Sequence, residues 1–252
     1  MKKILLKGKN VCKSFARSGE NTPILNEVNV QIYEGDFTVI MGASGAGKST
    51  LLYTLSGMDG VTGGEIFYKG KNISRLTEKQ TAYLRANEFG FVFQQTHLVS
   101  NLTLFENVAV AGYVGGGNPG EVRQRAAALL AQMHVDKAKD RLPSQVSGGE
   151  AQRAAIARAM MNHPGLLFAD EPTGALNKSN SEEVLNLLSA LNQSGQSILM
   201  VTHDVRAAIR GNRLLYLEDG SLLDELALPG YRPADARERE GEAAAWLSSL
   251  RW

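Results

Sequence analysis

Cys12 is the only cysteine among 252 residues, which excludes an intrachain disulfide framework and any cysteine-rich metal cluster and fits a reducing compartment. Long apolar runs are also missing. No stretch approaches the roughly 18 consecutive apolar residues that a membrane-spanning helix needs. At the amino terminus, Lys2 and Lys3 precede an apolar run from Ile4 to Leu6 that ends at Lys7. That run is too short for the core of a secretion signal and reads as a basic edge strand. Charge of one sign is lacking: 27 Lys and Arg stand against 26 Asp and Glu, a formal net charge of +1. Bulk attraction to nucleic acid or to anionic lipid is therefore not expected. No internal repeat is visible. What remains is ordinary for a folded protein, 43% hydrophobic and 21% charged, in a chain long enough to bury about 70–75% of its unfolded surface. The expectation is a soluble chain that works at a membrane only through a partner.

Strand-like and helix-like segments alternate, which points to a parallel sheet covered by helices. Short apolar runs occur at 37–41, at 166–169 before Asp170, and at 198–201 before Thr202 and His203. Runs of this kind suit strands buried on both faces. Between the last two, Val184, Leu187, Leu188 and Leu191 fall on one helical face, with Glu182 and Glu183 in the expected first turn and Gly195 just beyond the end, completing a βαβ unit. From about Asn101 to Asn162 the pattern is helical, broken by a glycine-rich tract from Gly112 to Gly120 that reads as a flexible surface loop. Residues 64–73 alternate around Lys69-Gly70-Lys71 and read as a hairpin. From Pro229 the tail mixes Arg and Glu, then ends in a helix placing Ala243, Trp246, Leu247 and Leu250 on one face before Arg251 and Trp252. Such a helix folds back on its own domain or docks elsewhere.

Gly42-Ala43-Ser44-Gly45-Ala46-Gly47-Lys48-Ser49-Thr50 satisfies G-x-x-x-x-G-K-[ST], the signature of a phosphate-binding loop. Average residue usage makes an accidental match in a chain this long roughly a one-in-a-hundred event. The context is also right, with a buried strand ending at Met41 and a helical run of Leu51, Leu52 and Leu55 after the loop. The glycines let backbone N–H groups turn inward as an anion nest, and the positive end of the helix that begins there faces the same anion. Lys48 supplies a point charge for the β- and γ-phosphates, and Ser49 a hydroxyl for Mg²⁺. An apolar strand ending in Asp170 adds a carboxylate for that ion, and Glu171 follows as a candidate general base for water, a role that requires it ionised near neutral pH.

Val146-Ser147-Gly148-Gly149-Glu150-Ala151-Gln152-Arg153 makes the reading more specific. Ser147 with Glu150 is a capping box, so a helix starts here and runs through Ala154, Ile156 and Ala159. Two glycines in its first turn cost stability and suggest close backbone approach to something. A second phosphate-binding helix start, far along the chain from the first, makes sense if each site is built from two chains. The segment resembles the signature motif of ATP-binding cassette (ABC) ATPases. Other cassette motifs follow that resemblance. Phe15, by pattern alone a core residue, looks like the aromatic that stacks on adenine. Gln94, in Phe91-Val92-Phe93-Gln94, looks like the glutamine that senses Mg²⁺ and the γ-phosphate. Residues Pro172–Asn177 resemble the D-loop, and His203 resembles the histidine that contacts the γ-phosphate.

Within the superfamily, the text around Gly42–Leu52, Leu84–Val108 and Ala169–Asn177 resembles the MacB/LolD-like group of macrolide exporters, lipoprotein releasers and antimicrobial-peptide resistance transporters. The resemblance implies a P-loop α/β fold with a mostly parallel sheet, an antiparallel β subdomain and a helical subdomain at about 95–163. It also implies one cassette domain over 1–228 and a separate tail over 229–252. Implied cofactors are ATP and Mg²⁺. Implied partners are a second copy of the chain, head to tail, and an FtsX-like permease docking near residues 95–110, with no nucleic acid. The cassette would then sit on the cytoplasmic face of the membrane, held there by its permease. In that dimer each nucleotide lies between the Lys48 loop of one copy and the Ser147-Gly148-Gly149 helix start of the other. Glu171, His203 and Gln94 are the catalytic candidates; Ser49, Gln94 and Asp170 are the metal candidates.

Three positions depart from the usual motifs. Val146 replaces Leu and Glu150 replaces Gln, both substitutions familiar within the group. Asn177 stands where the D-loop ordinarily ends in Asp, and the missing carboxylate bears on how two sites communicate. A chromosome-maintenance ATPase would need a long coiled coil between the motifs, and a translation-factor ATPase two cassettes; neither is present. The rival that survives is a cassette driving no transport, in a membrane signalling or cell-wall-remodelling complex or in soluble iron–sulfur assembly. Cargo is not legible, since specificity in such systems lies in the permease.

Overall fold

Two long strands open the chain, β1 (Ile4–Arg17) and β2 (Glu20–Tyr33), joined antiparallel from Ile4↔Tyr33 to Arg17↔Glu20. The computed structural model describes residues 2–17 and 20–250, so Arg251 and Trp252 of the tail lie outside the described residues. After β2 come β3 (Phe37–Met41) and α1 (Lys48–Leu55), then the hairpin of β4 (Gly63–Tyr68) and β5 (Lys71–Asn72). Lys69 (φ 48°) and Gly70 (φ 78°) form the hairpin tip, a pair of positive φ values whose twist matches that of the flanking strands. β4 pairs with the free side of β1, Leu6↔Tyr68 to Cys12↔Gly63, giving a four-stranded antiparallel sheet in the order β2-β1-β4-β5. β1 is thus an interior strand, not the edge strand its basic residues suggest. Leu6 and Gly8 are buried while Lys7 and Lys9 between and after them are not, the period of a strand packed on one face, and register shifts on either side bring Leu5 and Val11 inward as well.

The chain forms two compact units, one of residues up to 81 together with those from 192 onward, the other of residues 82–191. In the second, α2 (Glu78–Glu88) leads to β6 (Phe89–Phe93). A helical region follows, made of α3 (Leu104–Val114), α4 (Pro119–Gln132) and α5 (Gly148–Ala159). Next are β7 (Leu166–Asp170), parallel to β6, and α6 (Lys178–Gln193). Phe91 stacks on Phe168 with ring centroids 5.4 Å apart. Leu104, Val108, Ala126, Leu130, Ala155 and Ile156 are fully buried, and removal of each Val, Leu or Ile side chain from water contributes about 1.5–3 kcal/mol.

Two expectations change here. The glycine-rich tract is not one loop: Gly112, Tyr113 and Val114 are the last turn of α3, and only residues 115–118 connect to α4, which Asn118 caps through Gly120 N–H with Pro119 in the first turn. Gly112 is in the helix because the space is full; a Cβ there would lie 2.8 Å from Met161 Cε and 2.9 Å from Val122. Glu182 and Glu183 fall in the second turn of α6, not the first, because the helix begins at Lys178. Its buried face is Val184, Leu185, Leu188 and Leu191, with Leu187 half-buried at its margin.

The first unit resumes with β8 (Ser197–Val201), the short α7 (Val205–Ala208), β9 (Arg213–Glu218), β10 (Ser221–Ala227) and α8 (Ala236–Ser249). β3 runs parallel to both β8 and β9, and β10 closes the edge antiparallel to β9. All five residues of β3 and of β8 are buried, as continuous apolar runs require. α8 folds back on this unit. Ala243 and Leu247 are buried, and Trp246 donates Nε1–H to Asp224 at 2.9 Å while meeting the Tyr216 ring edge-on.

Candidate functional site

The loop leaving β3 has positive φ at Gly42, Gly45 and Gly47 and delivers the chain into α1. Ala43, Ser44 and Gly45 are exposed at its crest, and Ser49 and Thr50 are half-buried in the first turn of the helix. Lys48 is 9% exposed, and its ammonium donates to Gly42 O at 2.7 Å and Ala43 O at 2.8 Å. It is a buried cation held across its own loop. α1 has no side-chain cap and no acidic residue in its first turn. α3 and α5, by contrast, are each closed by a capping box with Glu106 or Glu150. The start of α1, with neither a side-chain cap nor an acid, offers its positive dipole end to an anionic ligand.

The tip of the β9–β10 hairpin also reaches this loop. Gly220 N–H donates to Ala46 O at 3.2 Å, and its own carbonyl accepts from Asn26 N–H at 2.9 Å. A Cβ at Gly220 would sit 2.2 Å from Ile24 O, so this tip admits only glycine. Phe15, near the far end of the β1–β2 pair, is 42% exposed, and Lys13 Nζ lies 4.8 Å from its ring centroid. The ring is outside the core that pattern alone would assign it to. His203 is exposed in the turn between β8 and α7, where Thr202 Oγ1 accepts from Asp204 N–H and Asp204 Oδ1 caps α7.

In the second unit, the register Phe93↔Asp170 brings the ends of β6 and β7 side by side. Asp170 is 9% exposed at the last position of β7. Glu171 follows with φ 46°, a left-handed conformation costly for a residue with a Cβ and concentrated at functional sites. Gly174 N–H closes the turn on Glu171 O at 3.0 Å. Gln94 packs against that turn; a Cβ on Gly174 would lie 2.9 Å from Gln94 Nε2. Gln94, Asp170 and Glu171 are therefore gathered by one pair of strand ends.

Ser147 and Gly148 are exposed at the start of α5. Glu150 N–H donates to Ser147 Oγ at 3.2 Å, while Ser147 N–H and Oγ–H both donate to Glu150 Oε2 at 2.8 Å. Those bonds from Ser147, backbone first, hold the Glu150 carboxyl below its ordinary range, with the charges of Arg153 and Arg141 acting in the same direction. The two glycines differ. Gly149 is buried, and a Cβ there would lie 2.5 Å from both Cγ and Oδ1 of Asn180. A Cβ on Gly148 would meet only Leu176 Cδ2 at 3.5 Å, an ordinary contact.

Asn177 Oδ1 accepts from Asn180 N–H at 2.9 Å and so begins α6, a task a carboxamide performs as well as a carboxylate. The motifs assign no role to three contributors: Asn180, Lys13 and Gln152. The last is 1% exposed and donates Nε2–H to Phe93 O at 2.9 Å, tying α5 to the end of β6. Its signal is position, one turn before buried Ile156 on the apolar side of the helix.

Residues 25–174, more than half of the chain, match the ABC transporter family. Two structures of the ABC transporter cassette MJ0796 are similar over 90% of this chain and 100% of theirs, each with a TM-score of 0.83. One, 37% identical, is a dimer in a post-hydrolysis state bound to ADP and Pi; the other, 38% identical, is also dimeric. CbiO1 of Clostridium perfringens, part of the ABC transporter complex CbiONQ, is 28% identical over 88% of both chains with a TM-score of 0.78. A phosphate loop with a buried lysine, a glycine-started capped helix and these likenesses converge on one conclusion: the chain belongs to the ABC transporter family and is its ATP-binding cassette ATPase.

Proposed function

We propose that two copies of this chain close head to tail on ATP and drive an FtsX-like permease of the MacB/LolD-like group, in export or extraction of a peptide, lipid-linked or drug-like substrate. The observation that carries the dimer is the contrast between two helix starts. α1 is preceded by a complete phosphate loop with its own lysine and no side-chain cap. α5 begins with exposed Ser147 and Gly148 but has neither a feeding strand nor a lysine beside them. A start of that kind suits a phosphate brought to it by another chain. Dimers of MJ0796 support the same reading. The permease is supported by the group's motif text and by CbiO1's membership of a transporter complex. Among the described residues no helix is long and apolar enough to cross a membrane, so the cassette would be held at the cytoplasmic face by that partner.

In this reading Phe15 stacks on the base, and residues 42–50 with Lys48 hold the β- and γ-phosphates. Ser147, Gly148, Gly149 and Glu150 of the other copy complete the pocket. Mg²⁺ fits the donors available. No cluster of three or more His, Cys, Asp or Glu able to hold a metal occurs among the described residues, and Mg²⁺ typically takes one or two carboxylates with substrate phosphates. Ser49, Asp170 and Gln94 are hard oxygen donors of that kind, and the bound ion supplies charge neutralisation for the transferring phosphoryl group. Glu171 accepts a proton from the attacking water or orients it, and His203 contacts the γ-phosphate. A positioned general base contributes about 10²–10⁴-fold. Glu171→Gln is accordingly expected to keep ATP binding, lose turnover by that order and elute as an ATP-dependent dimer. Turnover at the parental rate rules out the base assignment. Turnover per chain that is independent of dilution rules out the shared pocket. Co-purification with a membrane protein tests the permease.

A further inference from the structure

The segment carrying His203 leaves the sheet and returns to it beside one strand. Thr202 N–H donates to Ile40 O at 3.2 Å at one end, and Asn212 N–H to Phe37 O at 3.0 Å at the other. Between these two anchors on β3 lie His203, α7 and the turn from Ile209 to Gly211. α7 is a single turn, too short to hold itself. The carbonyls of Ile209 and Gly211, in the turn just past its end, accept from one side chain of α8.

Arg239 is 3% exposed. Its Nε donates to Ile209 O at 2.8 Å, its Nη2 to Gly211 O at 2.5 Å and its Nη1 to Pro229 O at 2.6 Å. The Tyr231 ring lies 5.6 Å from this guanidinium and 4.3 Å from that of Arg210. A rigid planar fork spreads its donors over three separate nitrogens, here one to each carbonyl, where an ammonium would have to bring all three to one nitrogen. α8 is itself anchored two turns further along by Trp246 on Asp224 and Tyr216, so the guanidinium is a fixed point rather than a mobile surface charge.

We propose that Arg239 is a positioning residue for His203: by holding the carbonyl end of α7, it fixes the turn from which the imidazole reaches the γ-phosphate. The proposal rests on the reading of His203 given above and extends it to the C-terminal helix, which joins the catalytic apparatus from outside the span matched by the family.

The test is a double-mutant cycle on the full chain, with ATPase kcat and KM measured separately. Arg239→Gln is expected to lower kcat about tenfold, as small misplacements of a catalytic group do, with KM for ATP within about twofold because the phosphate loop is untouched. Arg239→Lys keeps the charge but not the fork and is expected to fall between the two; it carries the test if Arg239→Gln does not fold. In a His203→Ala background, Arg239→Gln is expected to cost nothing further. An unchanged kcat in Arg239→Gln, or the same proportional loss with and without His203, overturns the positioning role. Parental turnover in His203→Ala alone instead overturns the reading of His203, so the two failures are distinguishable.

Discussion

Adjacent glycines at the start of α5 meet different surroundings, and alanine at each is expected to fail in a different way. At Gly149 an added Cβ lies 2.5 Å from Cγ and Oδ1 of Asn180 and 3.0 Å from its Cβ. Ordinary carbon contacts are about 3.5–4.0 Å, so the overlap is about 1 Å. The main chain of Asn180 is held by Asn177 at the start of α6, so its Cβ stays 3.0 Å from the added atom and relief must come from rotating the carboxamide. Overpacking of this kind costs about 1–3 kcal/mol, which for a chain of this size lowers Tm by roughly 2–12 °C. Asn180→Gly removes the obstructing atoms, so Gly149→Ala is expected to be milder in that background, with a coupling energy of about 1 kcal/mol or more, and ATPase activity should recover together with stability. At Gly148 an added Cβ meets nothing closer than 3.5 Å. Gly148→Ala is expected to leave Tm within about 2 °C, since exposed changes free of such features stay within about 0.5 kcal/mol, yet to slow turnover, because the methyl stands on the face proposed to meet the nucleotide of the other copy. Thermal unfolding and steady-state ATPase assays of the five proteins decide the matter. Additive effects of Gly149→Ala and Asn180→Gly would refute the packing argument; full activity in Gly148→Ala would refute the approach of phosphate to that face.

Lys48→Ala removes the cation proposed for the phosphates, which here donates to two carbonyls of its own loop; if it turns those two bonds to phosphate at about 1.5–3 kcal/mol each, ATP affinity by fluorescent-nucleotide titration is expected to fall about a hundredfold or more, and unchanged affinity would contradict the role of this loop. Gln152→Leu removes the bond that the buried carboxamide makes to Phe93 O and is expected to cost about 0.5–1.5 kcal/mol in urea unfolding, with an unchanged stability excluding that link. The Glu150 carboxyl is held below its ordinary value by Ser147, so its contribution is present above the unfolded value and fades as pH falls through the folded one. The stability gap between the parent and Glu150→Ala should therefore be widest near neutral pH and close in acid; a gap that grows on acidification reverses the argument.

Much of the site was legible because its pieces are contiguous. The phosphate loop, its buried strand and Leu51, Leu52 and Leu55 lie within about twenty residues, and local pattern sufficed for all of them. The hairpin at Lys69-Gly70 was legible for the same reason. The place of β1 was not, since an interior strand differs from an edge strand only in a second neighbour, here β4, more than fifty positions along the chain. Gly112 misled because glycine disfavours helix by about 1 kcal/mol while packing against Met161 and Val122 demands it. Arg239 was invisible: in a tail rich in Arg and Glu, nothing local marks a guanidinium that faces inward.

The hairpin tip at Asp219-Gly220 passes for a mere connection between β9 and β10. A trans peptide, however, points its C=O and N–H to opposite sides. By drawing the Ala46 carbonyl toward itself, the tip compels the next amide, that of Gly47, to aim the other way, away from the hairpin. The polarity of the cradle is thus decided by a residue some 170 positions downstream of it. Lengthening that tip by a single residue would leave every cradle side chain in place and still let one donor swing out of the nest.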